Sequence, residues 1–157
     1  MPHLRRALLV TWFGLLGGAC STPRTVLAPA EPAAVPLELE ITAADRLNPD
    51  EAGNSLVTAV VVYQLKSAAK LETADFDQLY RNAKEALGAD LLQSEELTLE
   101  PGQKLRRRIE TDRAARAVAV VAQFRRPTGT SWRAVADLAS AKGNLAFFLE
   151  GYRVERR

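Results

Sequence analysis

The segment that most constrains the fold is residues 56–65, which are apolar and β-branched over most of their length. They read LVTAVVVYQL. Valine and aromatic residues are enriched in strands, and a strand that is covered on both faces has a nearly continuous apolar sequence. Residues 56–65 therefore predict a central strand of a β-sheet, buried over most of its length.

Other segments predict further strands. In residues 37–42, aliphatic side chains alternate with Glu or Thr, which predicts a first strand with one buried face and one wet face. Strand-like runs also occur at residues 91–99, 103–110, 117–124, 132–138 and 145–154. With turn residues between them, these runs bring the predicted number of strands to seven.

Residues 73–88 have a helical pattern instead. Apolar side chains recur at helical spacing from Phe76 to Leu87, with Thr73 placed to cap the start and Gly88 to end the helix. Alternatively, Asn82 caps a second short helix. Seven strands with one helical insertion predict a mainly β protein, an antiparallel β-sandwich that spans residues 37–157.

The first 20 residues have the pattern of an export signal. Arg5 and Arg6 precede an apolar block, residues 7–19, which ends in small residues directly before Cys20. This block is shorter than the roughly 20 apolar residues of a transmembrane helix. We interpret residues 1–19 as a cleaved signal peptide. Cys20 resembles the acylation site of a bacterial lipoprotein; the alternative is a plain secretory signal that leaves an unmodified thiol.

The next segment predicts a tether. Residues 21–36 contain four prolines among Ala, Thr and Ser, with no hydrophobic period. Together with the lipidated Cys20, they make residues 20–36 an extended spacer. Ser21 stands where lipoproteins that stay in the inner membrane typically carry Asp. By this resemblance, the acyl chains enter the inner leaflet of the outer membrane and the protein lies on its periplasmic face.

The residues after the signal lack the side chains that most catalytic sites need. The only histidine is His3 and the only cysteine is Cys20, so no imidazole is left for a triad, no usual zinc site and no internal disulfide. The signal holds two of the 21 basic residues and none of the 19 acidic ones, so the remaining charges balance and do not favour nucleic acid. We expect no enzyme activity, cofactor, metal, small-molecule substrate or nucleic-acid partner.

Carboxylate chemistry is the remaining catalytic option. Asp75 with Asp77, and Glu95 with Glu96, come nearest to a pair. Adjacent acids face opposite ways on a strand, and acids at i and i+2 diverge on a helix, so solvated surface acids are the preferred interpretation. A carboxylate hydrolase, which needs two acids about 5 to 9.5 Å apart, is the less favoured alternative.

Residues 43–55 predict a long connection between the first two strands. They contain turn-forming residues, among them Asn48, Pro49 and Gly53. Most connections between strands have about 2 to 5 residues, and longer ordered ones more often carry function. Spacing alone leaves two alternatives open, a partner-binding loop and a generic mobile loop.

Several short motifs follow one another in a defined order. They are Leu47-Asn48-Pro49-Asp50, Gly53 and Ser55, VVVYQLK at 60–66, ADF at 74–76 with Leu79, LGADLL at 87–92, LEPG at 99–102, VVAQFR at 120–125 and Trp132-Arg133. In this order and spacing they resemble the TssJ family, the outer-membrane lipoproteins of type VI secretion systems. The resemblance covers about residues 37–138 and the lipidated start.

The resemblance implies a transthyretin-like β-sandwich with a small helical insertion and no catalytic task. It also implies that the protein pins an envelope-spanning complex to the outer membrane by binding the periplasmic C-terminal region of the inner-membrane protein TssM. In the family, the loop between the first two strands contributes to this contact. Carried over by position, the partner-binding residues are Arg46, Leu47, Asn48, Pro49, Asp50 and Asn54. We expect removal of residues 46–55 to abolish TssM binding while leaving the fold intact.

A periplasmic ligand-binding lipoprotein is the alternative function. It would use the face around Tyr63, Trp132 and Tyr152 for a glycan or another small molecule. A concave apolar pocket with convergent polar groups would favour this alternative, whereas a flat sandwich with one protruding loop would favour the scaffold.

Overall fold

Within residues 35–157, the range that the computed structural model describes, the chain forms eight strands in two sheets. The strands are β1 (Val35–Leu47), β2 (Thr58–Leu65), β3 (Leu91–Leu99), β4 (Lys104–Thr111), β5 (Ala117–Ala122), β6 (Arg133–Asp137), β7 (Asn144–Gly151) and β8 (Arg153–Arg156). The first sheet has the order β4-β1-β7-β8 and the second the order β3-β2-β5-β6. The predicted β-sandwich with a helical insertion is confirmed.

The predicted segments at the N-terminus fall mostly outside the described range. The signal peptide, Cys20 and the tether up to residue 34 lie outside the described residues. Residues 35 and 36, which we assigned to the tether, are the first two residues of β1. The sandwich therefore begins two residues earlier than predicted.

Two details of the sandwich differ from the prediction. Residues 145–154, predicted as one strand, form β7 and β8, because Gly151 takes a φ of 56° and reverses the chain so that Leu149 pairs with Val154. In addition, β1 pairs with β7 in parallel, with Leu39 opposite Leu145. The sandwich is therefore not entirely antiparallel. The sequence did not predict this pairing, because β1 and β7 are far apart in sequence and their pairing leaves no local pattern.

The core lies between the two sheets and follows the predicted alternation. Leu37, Leu39 and Ile41 of β1 are buried, as expected for the inner face of a strand with one wet side. In the second sheet, β5 is buried at every residue and β2 at all but one. The apolar run that predicted a central strand indeed lies between β3 and β5.

Two helices between β2 and β3 cover the outer face of the second sheet. They are α1 (Ala69–Thr73) and α2 (Phe76–Leu87). Thr73, which we predicted to begin the helix, instead ends α1, where its hydroxyl donates to the Ala69 carbonyl at 3.2 Å. The guanidinium of Arg133 on β6 donates to the carbonyls of Glu72 and Ala74, at 2.5 and 2.6 Å. These bonds use carbonyls that the helix leaves free at its end and hold the break between α1 and α2.

Helix α2 contains the interruption that we considered as an alternative. Asn82 has a φ of −156° and a ψ of 79°, outside the helical region. Its Oδ1 accepts a hydrogen bond from the Glu85 backbone at 3.2 Å, and its amide donates to the Glu85 carboxylate at 3.0 Å. This reciprocal pairing resembles a capping box and starts the second half of α2, which ends at Gly88 as predicted.

Candidate functional site

Residues 48–57, called here the β1–β2 loop, connect the two sheets at one end of the sandwich. Strand β1 runs to Leu47, past its predicted end at residue 42, because the chain pairs with β7 again after an irregularity. Because of this irregularity, the 13 residues of β1 advance along β7 by only about ten positions, so the two ends of the strand are about 33 Å apart at ~3.3 Å per residue. The loop therefore lies at the pole opposite to the one at which β1 begins.

The base of the loop is buried and bonded to two other connections. Leu47 is 0% exposed and Asn48 is 3% exposed. Asn48 has a φ of 44°, a left-handed conformation that Asn tolerates better than most residues. Its backbone N–H donates to the Gly151 carbonyl at 2.7 Å, and its Oδ1 accepts from the Arg125 backbone N–H at 2.9 Å. Asn48 thus joins the loop to the β7–β8 turn and to the β5–β6 connection.

Further hydrogen bonds close the neck of the loop. The Tyr152 hydroxyl, from the β7–β8 turn, donates to the Pro49 carbonyl. The Leu56 backbone N–H donates to the Leu47 carbonyl at 3.0 Å. Both sides of the loop are therefore held where they leave the sandwich.

The tip of the loop is held by Asp50 and Asn54. The Asp50 carboxylate accepts from the Asn54 backbone N–H at 2.8 Å and from its side-chain amide at 3.0 Å. Gly53 supplies the positive φ of 88° that the reversal requires. The side-chain and backbone N–H groups of Asn54 hold the pKa of Asp50 below its ordinary value of 3.8. The carboxylate is therefore charged at neutral pH, and the tip is pre-organised.

Charged side chains from the β5–β6 connection lie beside the tip. The Glu51 carboxylate is 3.7 Å from the guanidinium of Arg125 and 3.7 Å from that of Arg126. All three side chains are exposed, and exposed ion pairs contribute only about 0–1 kcal/mol. They remain available to a partner. Sequence reasoning did not place Arg125 and Arg126 here, because their approach depends on long-range strand pairing and has no local signal.

The six predicted partner-binding residues form one segment but differ in exposure. Three have accessible side chains: Arg46, Asp50 and Asn54. Three are buried: Leu47, Asn48 and Pro49. The buried residues support the loop rather than present side chains to a partner. Because Leu47 belongs to the core, removal of residues 46–55 should disturb the fold, contrary to our expectation from sequence.

The face suggested for the alternative function is not one site. Tyr63 lines a groove beneath α2. Trp132 is only 2% exposed, and its indole N–H donates to the Gly129 carbonyl at 2.7 Å. Tyr152 lines a separate, shallow depression near Arg153. The three aromatic side chains therefore do not share a pocket.

Glu95 and Glu96 do not face the same cavity. Glu95 lines a cleft between β3 and β4, whereas Glu96 lines the groove beneath α2, on the other face of the strand. In residues 35–157, no group of three His, Cys, Asp or Glu side chains could hold a metal ion. No helix in that range is long and apolar enough to cross a bilayer.

These features define a class of protein, a β-sandwich scaffold that presents a pre-organised loop at one pole. Residues 35–154 match the family described as type VI secretion lipoprotein, which includes VasD, EvfM and TssJ. The chain belongs to this family.

Solved structures agree with this assignment. The lipoprotein TssJ1 of Pseudomonas aeruginosa is 28% identical, with a TM-score of 0.68 over 79% of this chain and 97% of that protein. A chain in a structure described as "Type VI membrane complex" is 26% identical, with a TM-score of 0.74 over 79% and 98%. A chain in a structure described as the TssM C-terminal domain from EAEC is 25% identical, with a TM-score of 0.69 over 78% and 97%. No curated protein matched the sequence.

Proposed function

We propose that this chain is a non-catalytic outer-membrane lipoprotein that anchors the type VI secretion membrane complex. Acyl chains on Cys20 hold it in the inner leaflet, on the periplasmic face, after residues 1–19 are removed. Residues 20–34 form the tether. The β1–β2 loop, together with Arg46 at the end of β1, binds the periplasmic C-terminal region of TssM. The accessible side chains of this segment include Arg46, Asp50, Glu51 and Asn54.

The position of the loop is the observation that carries this proposal. Strand β1 begins at Val35 and leads to the loop after Leu47, about 33 Å further along the sandwich. The chain therefore enters the sandwich at one pole and carries the loop at the other. The end of the sandwich that joins the tether is thus not the end that carries the loop.

The order within the loop supports a binding role. Asn48, Pro49 and Asp50 each accept or donate a hydrogen bond that fixes the loop before any partner arrives. A loop that is already ordered loses less conformational entropy on binding than a mobile one. Of the two alternatives that spacing left open, the generic mobile loop is therefore the less favoured.

The comparisons support TssM as the partner. One similar chain belongs to a structure described by the TssM C-terminal domain, and another to a type VI membrane complex. Both similar chains are covered almost completely by the alignment. We carry this partner over to the present chain as part of the proposal.

A binding measurement with a variant of the tip tests the loop assignment. The probe is the periplasmic C-terminal region of TssM, and the protein is residues 21–157, since the sandwich of residues 35–157 has its own hydrophobic core. Replacing Glu51 and Asn54 together with Ala should weaken TssM binding by about tenfold or more, as expected for side chains within an interface.

The matched control replaces one Glu and one Asn by Ala at the other pole of the sandwich. Glu110 and Asn144 are exposed there, near the start of β1, and their replacement by Ala should leave the affinity unchanged. Thermal unfolding of both double variants checks that the fold survives. Equal affinities for the two double variants would refute the assignment of the loop.

A further inference from the structure

Helix α2 does not seal against the second sheet. Between them lies a groove of about 400 Å³, called here the α2 groove. Its floor includes Val61 of β2 and Val121 of β5, and its helical wall includes Phe76 and Leu79. This volume falls within the roughly 300–1,000 Å³ that is usual for small-ligand pockets.

Four polar side chains that line the α2 groove have unused hydrogen-bonding capacity. They are Tyr63, Ser94, Glu96 and Gln123. None of these side chains makes a hydrogen bond or ion pair within residues 35–157. Tyr63 is only 4% exposed, yet no polar side-chain atom in the described range is both fully buried and unpaired. Its hydroxyl must therefore keep access to the groove.

An aromatic platform stands at the mouth of the groove. Tyr80 is 62% exposed, one of two large apolar side chains that are exposed in the described range. Its ring stacks on Phe76 with a centroid distance of 6.0 Å and an interplanar angle of 8°. Phe76 in turn meets the buried Trp132 edge to face at 5.2 Å. These ring contacts orient Tyr80 on one side, while more than half of the residue stays exposed.

We propose that the α2 groove binds a saccharide. A sugar ring has a C–H face that can stack on an aromatic ring, and its hydroxyls both donate and accept hydrogen bonds. The Glu96 carboxylate can accept hydrogen bonds, and the side chains of Tyr63, Ser94 and Gln123 can both donate and accept them. Together these four side chains complement the hydroxyl groups of a sugar. This site lies on the outer face of the second sheet and is independent of the β1–β2 loop.

Other ligand classes fit the α2 groove less well. An entirely apolar ligand would remove four polar side chains from water without replacing their hydrogen bonds, which is costly. Glu96 and Lys84 both line the groove, so their opposite charges favour neither an anion nor a cation. Burial and the nearby Glu96 charge raise the pKa of Tyr63, so its hydroxyl stays protonated and can donate to a neutral ligand.

Tryptophan fluorescence provides a local readout. The chain has two tryptophans, Trp12 in the signal segment and Trp132, so residues 21–157 contain only the one that contacts the groove wall. Titration with N,N′-diacetylchitobiose, cellobiose or maltose should give a saturable change with at least one disaccharide, with a Kd of about 1 mM or below. Saturation-transfer NMR on the same samples should show contact with the sugar C–H protons.

Substitutions in the α2 groove can be compared with a matched substitution on the opposite face of β3. Tyr80→Ala removes the stacking ring, and Glu96→Gln replaces a charge-assisted hydrogen bond with a weaker neutral one, so each should weaken binding about fivefold or more. Glu95→Gln, an identical change on the opposite face of the strand, should leave binding unchanged. Both altered groove residues are exposed, so the fold should persist in circular dichroism.

Three outcomes would overturn the proposal. One is the absence of a saturable signal with all three disaccharides up to about 20 mM. Another is binding that Tyr80→Ala and Glu96→Gln affect no more than Glu95→Gln does. The third is an apolar dye that binds the groove and that no saccharide displaces, which would assign the groove to a different ligand class.

Discussion

Asn48 is the residue that connects the β1–β2 loop to the rest of the sandwich. Its side chain and backbone bond to two separate connections, and its φ of 44° turns the chain out of β1. The residue is buried, so it shapes the surface of the loop without presenting its own side chain there. In the proposed function, Asn48 therefore acts through the conformation of its neighbours.

Asp50 gives a prediction about pH. Its pKa lies below the ordinary value of 3.8 because the Asn54 side-chain and backbone N–H groups bond to the charged form. The contribution of this carboxylate to loop order is therefore complete above pH 3.8 and is lost as the pH falls through the lower, folded-state pKa. The Asn54 amide resonance in an NMR titration should shift with a midpoint below 3.8.

The variant Asp50→Asn provides the control for that titration. It keeps the size of the side chain but has no carboxylate to protonate, so the acid transition of the Asn54 amide should disappear. A midpoint at or above 3.8 in the unaltered protein would contradict the structure of the tip.

At the level of single residues, the sequence predicted the loop but not which of its residues are buried and which are exposed. Turn-forming residues such as Asn48, Pro49 and Gly53 predicted a connection, because their conformational preferences are local. Burial of Leu47 and Asn48 depends on strand pairing and on contacts with Arg125 and Gly151, far along the chain. No local pattern encodes such contacts.

Among the structural elements, the helical insertion depends on one side chain of the sheet. Arg133 donates to the carbonyls of Glu72 and Ala74, and its guanidinium lies 4.3 Å from the centre of the Trp132 ring. Lys cannot reproduce the planar fork that reaches both carbonyls. Arg133→Lys should therefore lower the free energy of unfolding by about 2 kcal/mol, the range for hydrogen bonds to a charged group.

Denaturant unfolding and hydrogen exchange would measure this effect and its location. Arg153→Lys is the matched control, since the exposed Arg153 side chain pairs, among residues 35–157, with the exposed Glu155 alone; it should change stability by about 0.5 kcal/mol or less. Loss of protection should concentrate in α1 and α2. A loss spread equally over both sheets would contradict the role of Arg133 as the link to the helices.

The elements themselves were predictable to different degrees. Strands β1 and β2 followed from alternation and from β-branched residues, both of which are local signals. The extension of β1 through residues 43–47 was missed, because these residues have no alternation and are held by pairing with β7. The parallel pairing of β1 with β7 was missed for the same reason. Asn82 was recognised, because its capping preference is a property of the residue.

At the scale of the whole molecule, the proposals assign separate tasks to separate surfaces. The anchor precedes β1, the partner loop follows it, and the α2 groove lies on the outer face of the second sheet. Strand β1 separates the first two surfaces by about 33 Å along the sandwich. We therefore expect that each task can be removed without altering the others.

Cys20→Ser tests the anchor in the full-length chain. Without the thiol no acyl chain can be attached, so the protein should move from the membrane fraction to the soluble periplasmic fraction and should lose incorporation of labelled palmitate. Several acyl chains hold a protein on a bilayer far more firmly than the marginal single-chain anchor, so the shift should be nearly complete. Ser21→Ala, one residue further along, should leave the protein in the membrane fraction.

The fractionation should be carried out in cells that lack TssM, because binding to a membrane protein would otherwise retain the variant indirectly. In solution, Cys20→Ser should bind the TssM region as tightly as the unaltered protein, since the β1–β2 loop is unchanged at the far end of β1. Retention of Cys20→Ser in membranes without TssM, in protein from which residues 1–19 have been removed, would refute the lipid anchor. Loss of TssM affinity in the same variant would show that the two poles are not independent.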